Sequence, residues 1–510
     1  MALCASQVGS GDELDHDRLS ELPDHILLSI LERLRDDVRL LARTCVLSTR
    51  WRTLPLMLSA LEININTFVV LTGGPSTLQR LHQATVKFTG AVRFFLATAT
   101  AGDQTRAVKY LRLVFCLTTD EHLRDIGHLV DAAIGRGEVR DLELVIHTNK
   151  GRNFLRRAPK VASITRCFAD RFMRLLGATP PAVFGSLRKL ALHNLTTRKM
   201  CLRFRDASDV GVLLRTCTAL EILTLDYCGL SDQLSELAID APPQSKLKVL
   251  CFDECYIRRI HLVQVPKLVT LICSRWLSES CPVTFGPGSV PYLQEIILNN
   301  RAEEWQLSFK LSELLENVNN VETLRLAFGN GRVWLEPENP KILGAAFSKL
   351  KMLNLMTMSP EGDLSWTMFL LQAAPLLQLV DIEVYSNHVC MEPDDDRDME
   401  ELEWELPPGF RHRHLRELRV CGVTIDATKD VRFARLVMER AVNMERLVLD
   451  ARITCEECVA AQRQDPSVLL SKFPKDKDDV DAMVRWLKDG ISSTSARIIV
   501  YSTSMRKFEY

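Results

Sequence analysis

A short apolar motif recurs along most of the chain. Writing φ for an apolar residue, the motif is φ-x-x-φ-x-φ, as in LRKLAL, LEILTL, VETLRL and LRELRV. Its second half, φ-x-φ, is typical of a short strand whose alternate side chains point inward. We therefore expect stacked strands with one continuous apolar spine. The twelve matches begin at Val108, Val139, Leu187, Leu220, Leu247, Leu268, Leu293, Val321, Leu350, Leu379, Leu415 and Met444.

The spacing of the matches indicates a repeat architecture. Most successive matches start 21 to 36 residues apart, which is close to the period of leucine-rich repeats with insertions. Single matches also arise by chance in a Leu-rich chain, but charged or polar residues recur at the second and third positions, as in Arg188-Lys189 and Glu322-Thr323. We predict an α/β fold in which an N-terminal helical domain precedes an irregular leucine-rich-repeat solenoid. The solenoid would be a horseshoe with short parallel strands on its concave face, covering residues 63–431.

Two long gaps between matches predict insertions, near residues 150–180 and 391–412. The first contains KGRNFLRRAPK (150–160), with five basic residues and no acidic ones, and the second contains MEPDDDRDMEELEWE (391–405). A basic run of this kind is more often a solvated loop than a nuclear-import or RNA-binding patch. The acidic run is typical of an exposed insertion.

The N-terminal region predicts two amphipathic helices. In LSELPDHILLSILERL (19–34), Pro23 suits the first helical position, and five apolar residues follow the 3.6-residue period: Ile26, Leu27, Ile30, Leu31 and Leu34. A second helical segment covers residues 40–54, and residues 1–17 are predicted to be flexible. One interpretation is a cap for the repeat array, but a cap has a polar outer face. Here the apolar residues are too many for two short helices to bury, which favours a docking surface for another protein.

Composition narrows the functional classes. The chain has 510 residues, 46% of them hydrophobic, and a formal net charge of −1, so charge gives no reason to expect nucleic acid or an anionic membrane as a partner. The N-terminus lacks the features of a signal peptide, and no stretch is long and apolar enough for a membrane span. Fifteen irregularly spaced cysteines favour a reducing compartment. We expect a cytoplasmic or nuclear protein.

Motifs for catalysis or cofactor binding are missing from the sequence. There is no phosphate-binding G-x-x-x-x-G-K, no G-x-S-x-G and no H-E-x-x-H. Cys455 and Cys458 form a single C-x-x-C, and a structural zinc site needs a second pair or nearby histidines. The sequence therefore predicts a non-enzymatic protein without a cofactor or metal.

The residues from 18 to 62 resemble an F-box. Leu22-Pro23 opens the first helix, and Val46-Leu47-Ser48-Thr49-Arg50-Trp51-Arg52 is similar to the V-L-S-x-R-W-R stretch typical of plant F-box proteins. The rest of the chain resembles the leucine-rich-repeat F-box proteins of plants, especially grasses. Residues 432–510 are similar to the FBD-like C-terminal region of that family, with FARLVMERAVNMERLVLD, a Cys-x-x-Cys, a Lys-Phe-Pro and a final IIVY strand.

The resemblance implies a substrate receptor of an SCF-type E3 ubiquitin ligase. Its F-box would bind a Skp-family adaptor, and through it cullin and RING subunits, while the repeats bind a protein substrate. Pro55 stands where plant relatives often have a second Trp, which weakens the assignment at that edge. The alternatives are a repeat scaffold without a ligase role and, third, an enzyme whose site the sequence does not reveal. The adaptor-binding residues implied are Leu22, Pro23, Ile26, Leu27, Ile30, Val46, Leu47 and Trp51.

Strand alternation predicts the substrate-binding face independently of the family. Residues before, between and after the inward φ positions would face the concave side. Across the twelve repeats these positions hold nine carboxylates and five Lys or Arg, with no Arg cluster of the kind that binds a phosphorylated segment. The candidate residues are His193, Asp226, Asp253, Arg325, Asn354, Glu383, Tyr385 and Arg419.

Overall fold

The structure is a computed structural model. It describes residues 22–69, 77–96, 108–117, 120–147, 161–193, 202–204, 207–230, 236–329, 332–358, 362–384, 402, 404–422, 427–451, 474, 476–491, 496–501 and 507–510. Several sequence predictions lie outside these residues. They concern the flexible N-terminus (1–17), the basic run (150–160), most of the acidic insertion (391–401), Tyr385, Cys455 and Cys458.

The chain forms two compact units, which are described separately. The first contains Met1–Phe115 and Asp125–Glu143, and the second contains Cys116–Arg124 and Leu144–Tyr510. The elements of the first unit, three of which (β2, α5 and β3) cross its boundary, are α1 (Asp24–Glu32), α2 (Val38–Thr44), α3 (Thr49–Thr53), β1 (Ala60–Asn64), α4 (Thr77–Leu96), β2 (Tyr110–Cys116), α5 (Asp120–Gly135) and β3 (Asp141–His147).

Side-chain caps divide the N-terminal region into three short helices. Pro23 was predicted at the first helical position, but it is the N-cap of α1, and the first helical residue is Asp24. Asp37 caps α2 by accepting hydrogen bonds from the backbone N–H groups of residues 39 and 40, and the Ser48 hydroxyl caps α3. The predicted single helix over residues 40–54 was wrong, because Ser48 begins a new helix.

Strand β1 was missed in the sequence. The strand overlaps a thirteenth motif match, Leu58-Ser-Ala-Leu61-Glu-Ile63, whose three apolar side chains are all buried. It pairs in parallel with β2, with Ala60 opposite Tyr110. The repeat pattern therefore begins before the predicted start at residue 63.

The second unit continues the repeats. Its elements are α6 (Val161–Ala178), α7 (Pro181–Gly185), β4 (Leu187–His193), β5 (Leu202–Phe204), α8 (Ala207–Thr216), β6 (Ile222–Asp226), β7 (Cys228–Leu230), β8 (Leu237–Asp240), β9 (Val249–Asp253), β10 (Ile260–Gln264), β11 (Thr270–Ser274), β12 (Val283–Phe285), β13 (Glu295–Asn300), α9 (Leu311–Leu314), β14 (Thr323–Phe328), α10 (Pro340–Leu343), β15 (Met352–Met358), α11 (Met368–Ala373), β16 (Leu379–Val384), β17 (Glu417–Cys421), α12 (Ala427–Arg440), β18 (Arg446–Asp450), α13 (Lys477–Lys488), β19 (Arg497–Tyr501) and β20 (Lys507–Glu509).

One parallel ladder organises the second unit and confirms the predicted α/β repeat fold. The strands follow the order β4-β6-β9-β11-β13-β14-β15-β16-β17-β18-β19, and β20 is added antiparallel at the end. Inward positions of neighbouring strands are in register, as in the column Leu223, Leu250, Leu271, Ile296 and Leu324. All five side chains are buried, which makes the apolar spine. Smaller parallel sheets, β8-β10-β12 and β5-β7, lie in the connections between ladder strands.

The predicted phase of one repeat was wrong by two residues. The motif was placed at Leu379, but the buried positions are Leu377, Val380 and Ile382, while Leu379 is half-exposed. The sequence from 376 to 384 has six apolar residues, so the pattern fits at more than one phase. Because the shift is two, the residues from Asp381 to Val384 stay on their predicted faces, while Leu379 faces outward.

Aromatic side chains pack in a row beneath the ends of successive strands. Trp276 meets Trp334 edge-on with 5.0 Å between ring centroids, and Trp334 stacks on Phe328 at the same distance. Phe328 in turn contacts Trp366, which stacks on Phe369. These rings are buried and connect the segments that follow β11, β14 and β15 through aromatic contacts.

Candidate functional site

The helical element of the first unit (residues 22–58) exposes several of its apolar side chains. Relative exposure is 40% for Ile26, 37% for Ile30, 83% for Val46 and 65% for Leu47. Leu22 is half-exposed and Pro23 is exposed. These residues belong to the predicted adaptor-binding set and lie on α1, just before it, and on the turn between α2 and α3. We call Ile26, Ile30, Val46 and Leu47 the exposed apolar set.

Two predicted adaptor contacts need correction. Leu27 is fully buried and Trp51 is 5% exposed, so the chain itself encloses both side chains. Leu31, Leu41 and Leu54 are buried as well. Helix α1 packs on the 3-10 turn Leu54–Met57, which covers one side of its apolar stripe. Leu27 and Trp51 therefore support the element from inside.

Local hydrogen bonds turn Val46 and Leu47 outward. Helix α2 ends at Thr44, and the N–H groups of Val46 and Leu47 donate to the carbonyl oxygens of Arg43 and Thr44. Ser48 then starts α3 through a hydrogen bond from the Trp51 N–H to its hydroxyl, at 3.2 Å. The two apolar side chains lie on the tight turn between these helices.

Arg50 joins α3 to the beginning of α1. Its Nε donates to Oδ1 of Asp24 at 2.7 Å, and its guanidinium also donates to the carbonyl oxygen of Leu22 at 2.5 Å. The Asp24–Arg50 pair is partly exposed. Arg50 stands in the motif that resembles the F-box, but sequence reasoning gave it no role, because its partners are more than twenty residues away.

The outward face of the ladder strands in the second unit is the second candidate surface, and we call it the strand face. Burial alternates along each strand as predicted, for example in β6, where Leu223 and Leu225 are buried and Thr224 and Asp226 are half-exposed. Seven of the eight predicted substrate-binding residues lie on this face, and Tyr385 lies outside the described residues. They are His193, Asp226, Asp253, Arg325, Asn354, Glu383 and Arg419. Their role in binding stays a prediction.

The arginines of the strand face from β6 to β18 are all paired with carboxylates. Arg325 contacts Glu295 at 3.0 Å, and both Arg419 and Arg446 contact Glu417 at 2.5 Å. Burial raises the pKa of Glu417, but the hydrogen bonds from the two arginines outweigh it, so its pKa lies below the ordinary value. These pairs agree with the expectation that the face offers no Arg cluster.

Histidines stand beside Asp226 at one end of the strand face. His193 Nδ1 lies 2.9 Å from Oδ2 of Asp226, and the His147 ring stacks on the His193 ring with 5.4 Å between centroids. Among the described residues, no three His, Cys, Asp or Glu side chains are arranged to hold a metal ion. The arrangement fixes the rings through stacking and one polar contact.

The first unit has its own charged network on β1, β2 and β3. Arg112 lies between Glu62, at 2.8 Å, and Glu143, at 2.9 Å. The Tyr110 hydroxyl donates to Glu143, and burial together with this bond raises the pKa of Tyr110. The charges at these strand positions are thus engaged within the unit.

The described cysteines are free, and many are buried. Burial raises the pKa of the Cys217 thiol to about 12, and that of Cys116 likewise to about 12. A nucleophilic cysteine needs a lowered pKa. These thiols therefore pack as small apolar groups.

No helix among the described residues combines the length and apolarity needed to cross a bilayer.

Comparisons with known proteins found a matching family model and a curated relative. Residues 171–495, well over half of the chain, match the family model described as At1g61320/AtMIF1, LRR domain. A curated protein of Arabidopsis thaliana, described as a putative F-box/FBD/LRR-repeat protein, is 24% identical over 389 residues, which is 73% of this chain and 79% of that protein.

A solved structure also aligns with the chain. It is the leucine-rich repeat-containing protein LegL7 of Legionella pneumophila, with 11% identity, a TM-score of 0.25, and coverage of 88% of this chain and 85% of that one. The family model and the Arabidopsis relative together support a plant protein of the F-box/leucine-rich-repeat type. Because the family model covers most of the repeat region, the chain belongs to the At1g61320/AtMIF1 leucine-rich-repeat domain family.

Proposed function

We propose that the protein is the substrate-recognition subunit of an SCF-type E3 ubiquitin ligase. Its N-terminal helical element binds a Skp-family adaptor and through it the cullin and RING subunits, and its strand face binds a protein substrate. The resemblance of residues 18–62 to an F-box supports the first half. The similarity to the Arabidopsis relative, a putative F-box/FBD/LRR-repeat protein, supports it as well.

The exposed apolar set is the main structural support for this proposal. Val46 and Leu47 extend into solvent although they are large and aliphatic, while Leu27 and Trp51 of the same element are buried. Exposing such side chains costs free energy of hydration in the isolated chain, and covering them with a partner regains it. An element that packs one apolar side and exposes another is suited to docking on a separate protein.

A receptor of this type acts without chemistry of its own. Binding substrate and adaptor at once holds substrate lysines near the ligase's E2, which raises their effective concentration by orders of magnitude. Two docking surfaces on one chain are sufficient for this role. It needs neither a catalytic residue nor a cofactor.

Adaptor capture tests the proposal. The full chain, co-expressed with a Skp-family adaptor, is expected to co-purify with it in a stable complex. Val46→Asp with Leu47→Asp should weaken the complex at least tenfold, because a charge in a buried interface goes uncompensated. These positions are suited to the test, since both side chains project from the folded chain and their replacement leaves its core intact.

Val86→Asp is the matched control. Val86 lies on α4 of the same unit and is 48% exposed, so the substitution makes the same chemical change outside the helical element. It should leave adaptor capture unchanged. A chain that captures no adaptor, or a double variant that captures it as well as the natural chain does, would refute the ligase role and leave the repeat scaffold as the better account.

A further inference from the structure

Five aliphatic or thiol side chains form a continuous patch on the strand face between β6 and β13. Ile222 is in register with Val249, Cys251 with Ile272, and Ile272 with Ile297. Val249 and Cys251 are two residues apart on β9 and share its outward face. Each of the five is half-exposed. We call Ile222, Val249, Cys251, Ile272 and Ile297 the aliphatic patch.

The patch ends abruptly along the ladder. The residue in register with Ile297 on the next strand is Arg325, and it is followed by Asn354, Asp381 and Arg419. The apolar and charged parts of the strand face are therefore separate regions. Spacing of about 4.8 Å between strands makes the patch about 14 Å long across four strands, enough for two or three partner side chains.

An acidic border lies at the ends of the same strands. Asp226 and Asp253 are the last residues of β6 and β9, and Glu254 follows. Arg275 alone spans Asp253, at 2.5 Å, and Glu254, at 2.5 Å. Asp226 contacts a histidine instead of a Lys or Arg, and its Oδ1 is buried without a hydrogen-bond partner among the described residues. Three carboxylates against one guanidinium leave the border negative.

Backbone strain recurs at this border. Tyr227, Glu254 and Arg275 directly follow β6, β9 and β11 and have φ values of 52°, 45° and 48°. Left-handed backbone costs a non-glycine residue roughly 1 kcal/mol, and glycine would remove the cost. Each N–H nevertheless continues the ladder by donating to the next strand, for example Tyr227 to the Asp253 carbonyl at 2.8 Å. Residues with strained backbone cluster at functional sites such as ligand clamps.

The sign of the charge selects the partner. The outward positions of β6, β9, β11 and β13–β18 hold seven carboxylates: Asp226, Asp253, Glu295, Asp381, Glu383, Glu417 and Asp450. They hold three arginines, each paired with a carboxylate, and the neighbouring strand β4 adds Lys189 beside Ile222. An acidic segment would meet like charge here, while a basic segment would meet opposite charge.

We propose that the aliphatic patch and its acidic border bind a basic substrate segment with aliphatic or aromatic anchors. The anchors cover Ile272 and its neighbours, and Lys or Arg side chains of the segment lie over the negatively charged border. This inference rests on the proposed function and names the class of substrate for the strand face.

Peptide binding to the full chain tests the inference. The probes are three fluorescein-labelled peptides of about twelve residues: one with Leu and Lys, one with Leu and Glu, and one in which Ser replaces each Leu of the first. Fluorescence anisotropy is expected to give a Kd for the Leu–Lys peptide at least tenfold below those of the other two. Equal affinity for the Leu–Glu peptide, or no binding of the Leu–Lys peptide at about 100 μM, would overturn the proposal.

Variants localise the site. Ile272→Arg should weaken binding of the Leu–Lys peptide at least about tenfold, and the milder Ile272→Thr at least about threefold. Both substitutions remove an anchor contact. Val448→Arg is the matched control, because Val448 lies half-exposed in the same column of the strand face, six strands away. It should change the Kd less than about twofold. Equal loss in Ile272→Arg and Val448→Arg would place the peptide elsewhere.

A second pair of variants tests the border. Asp226→Asn should weaken binding a few-fold at low salt, and the loss should shrink at high salt. Asp240→Asn, an exposed carboxylate on β8 away from the ladder, makes the same charge change and should have no effect. The proposed adaptor surface belongs to the first unit, and the aliphatic patch belongs to the second. Failure of peptide binding with adaptor capture intact would reject only this inference. Failure of adaptor capture with peptide binding intact would reject only the ligase role.

Discussion

Arg50 and Asp24 form the link between the two ends of the helical element. Arg50 Nε lies 2.7 Å from Oδ1 of Asp24, and the same guanidinium donates to the Leu22 carbonyl. These bonds fix the first turn of α1, and with it Ile26, relative to α3 and the turn that holds Val46 and Leu47. An exposed ion pair is worth at most about 1 kcal/mol. Its larger effect is on the arrangement of the docking residues.

We expect Arg50→Ala to loosen the beginning of α1. The free energy of unfolding should fall by about 1 kcal/mol, and amide hydrogen exchange should accelerate in the first turn of α1. Mass-spectrometric hydrogen exchange of the natural and variant chains measures this. Arg52→Ala is the control, since Arg52 is an exposed neighbour on α3. Equal acceleration in both variants would mean that the Asp24 contact does not order α1.

Truncation of two neighbouring residues of α1 should cost very different amounts of unfolding free energy. Leu27→Ala removes a fully buried side chain and should cost about 2 to 4 kcal/mol of unfolding free energy. Ile26→Ala removes a partly exposed one and should cost less than about 1 kcal/mol. Thermal and urea denaturation of both variants measure the difference. If Ile26→Ala proved as destabilising as Leu27→Ala, α1 would be packed on both sides and the docking surface would not exist.

The sequence was sufficient for the repeats, because each strand buries the same three motif positions. A side chain such as Leu250 has an equivalent on every neighbouring strand, so one pattern predicts many contacts. The same reasoning gave the outward residues correctly, including His193 and Asp226. It failed at Leu379, where alternating and consecutive apolar residues fit two phases.

The helical element was harder to predict, because its burial depends on contacts between distant segments. Ile26 and Leu27 are adjacent and both strongly apolar, and which one is covered depends on segments distant in sequence, such as the 3-10 turn at residues 54–57, which contacts α1. The aliphatic patch was also missed. Its members stand at outward positions, where the motif says nothing about residue type, and they form a surface only through the register of four strands.

Buried His412 should make stability depend on pH. Its Nδ1 accepts a hydrogen bond from the Leu415 N–H at 3.0 Å, and Nε2 lies 2.9 Å from the Ala374 carbonyl oxygen, so the ring is neutral with its proton on Nε2. Burial lowers the pKa of His412 below 6.5, although the bond to Ala374 acts in the other direction. Below pH 6.5 the unfolded chain thus binds a proton that the folded chain does not, and stability falls as pH falls.

The expected slope can be isolated with a pair of variants. Between pH 6.5 and the lower pKa of the folded state, His412 should steepen the slope of unfolding free energy against pH by at most about 1.4 kcal/mol per pH unit. Urea denaturation from pH 5 to 7.5 should show a shallower slope for His412→Gln than for the natural chain. His414→Gln, at an exposed neighbour, should keep the natural slope. Identical slopes in all three chains would contradict the role given to His412.

Two glycines allow the cost of a left-handed backbone to be separated from the cost of a steric clash. Gly409 has a φ of 81° in the turn Pro407-Pro408-Gly409-Phe410, and an added Cβ would meet nothing within 4 Å. Gly422 has a φ of 77° directly after β17, and an added Cβ would overlap the carbonyl oxygen of Val384. The Gly422 N–H also donates to the Asp450 carbonyl at 2.7 Å, which holds this backbone between β16 and β18.

Gly409→Ala should therefore cost about 1 kcal/mol of unfolding free energy, the strain of the left-handed backbone alone. Gly422→Ala adds an overlap with backbone that the ladder prevents from moving. We expect it to lower the unfolding free energy by about 3 kcal/mol. Urea denaturation of the two variants against the natural chain measures both values. Equal losses would show that the end of β16 yields to the methyl group. The close approach at Gly422 would then be a consequence of the glycine, instead of a contact on which the packing of β16 against β17 depends.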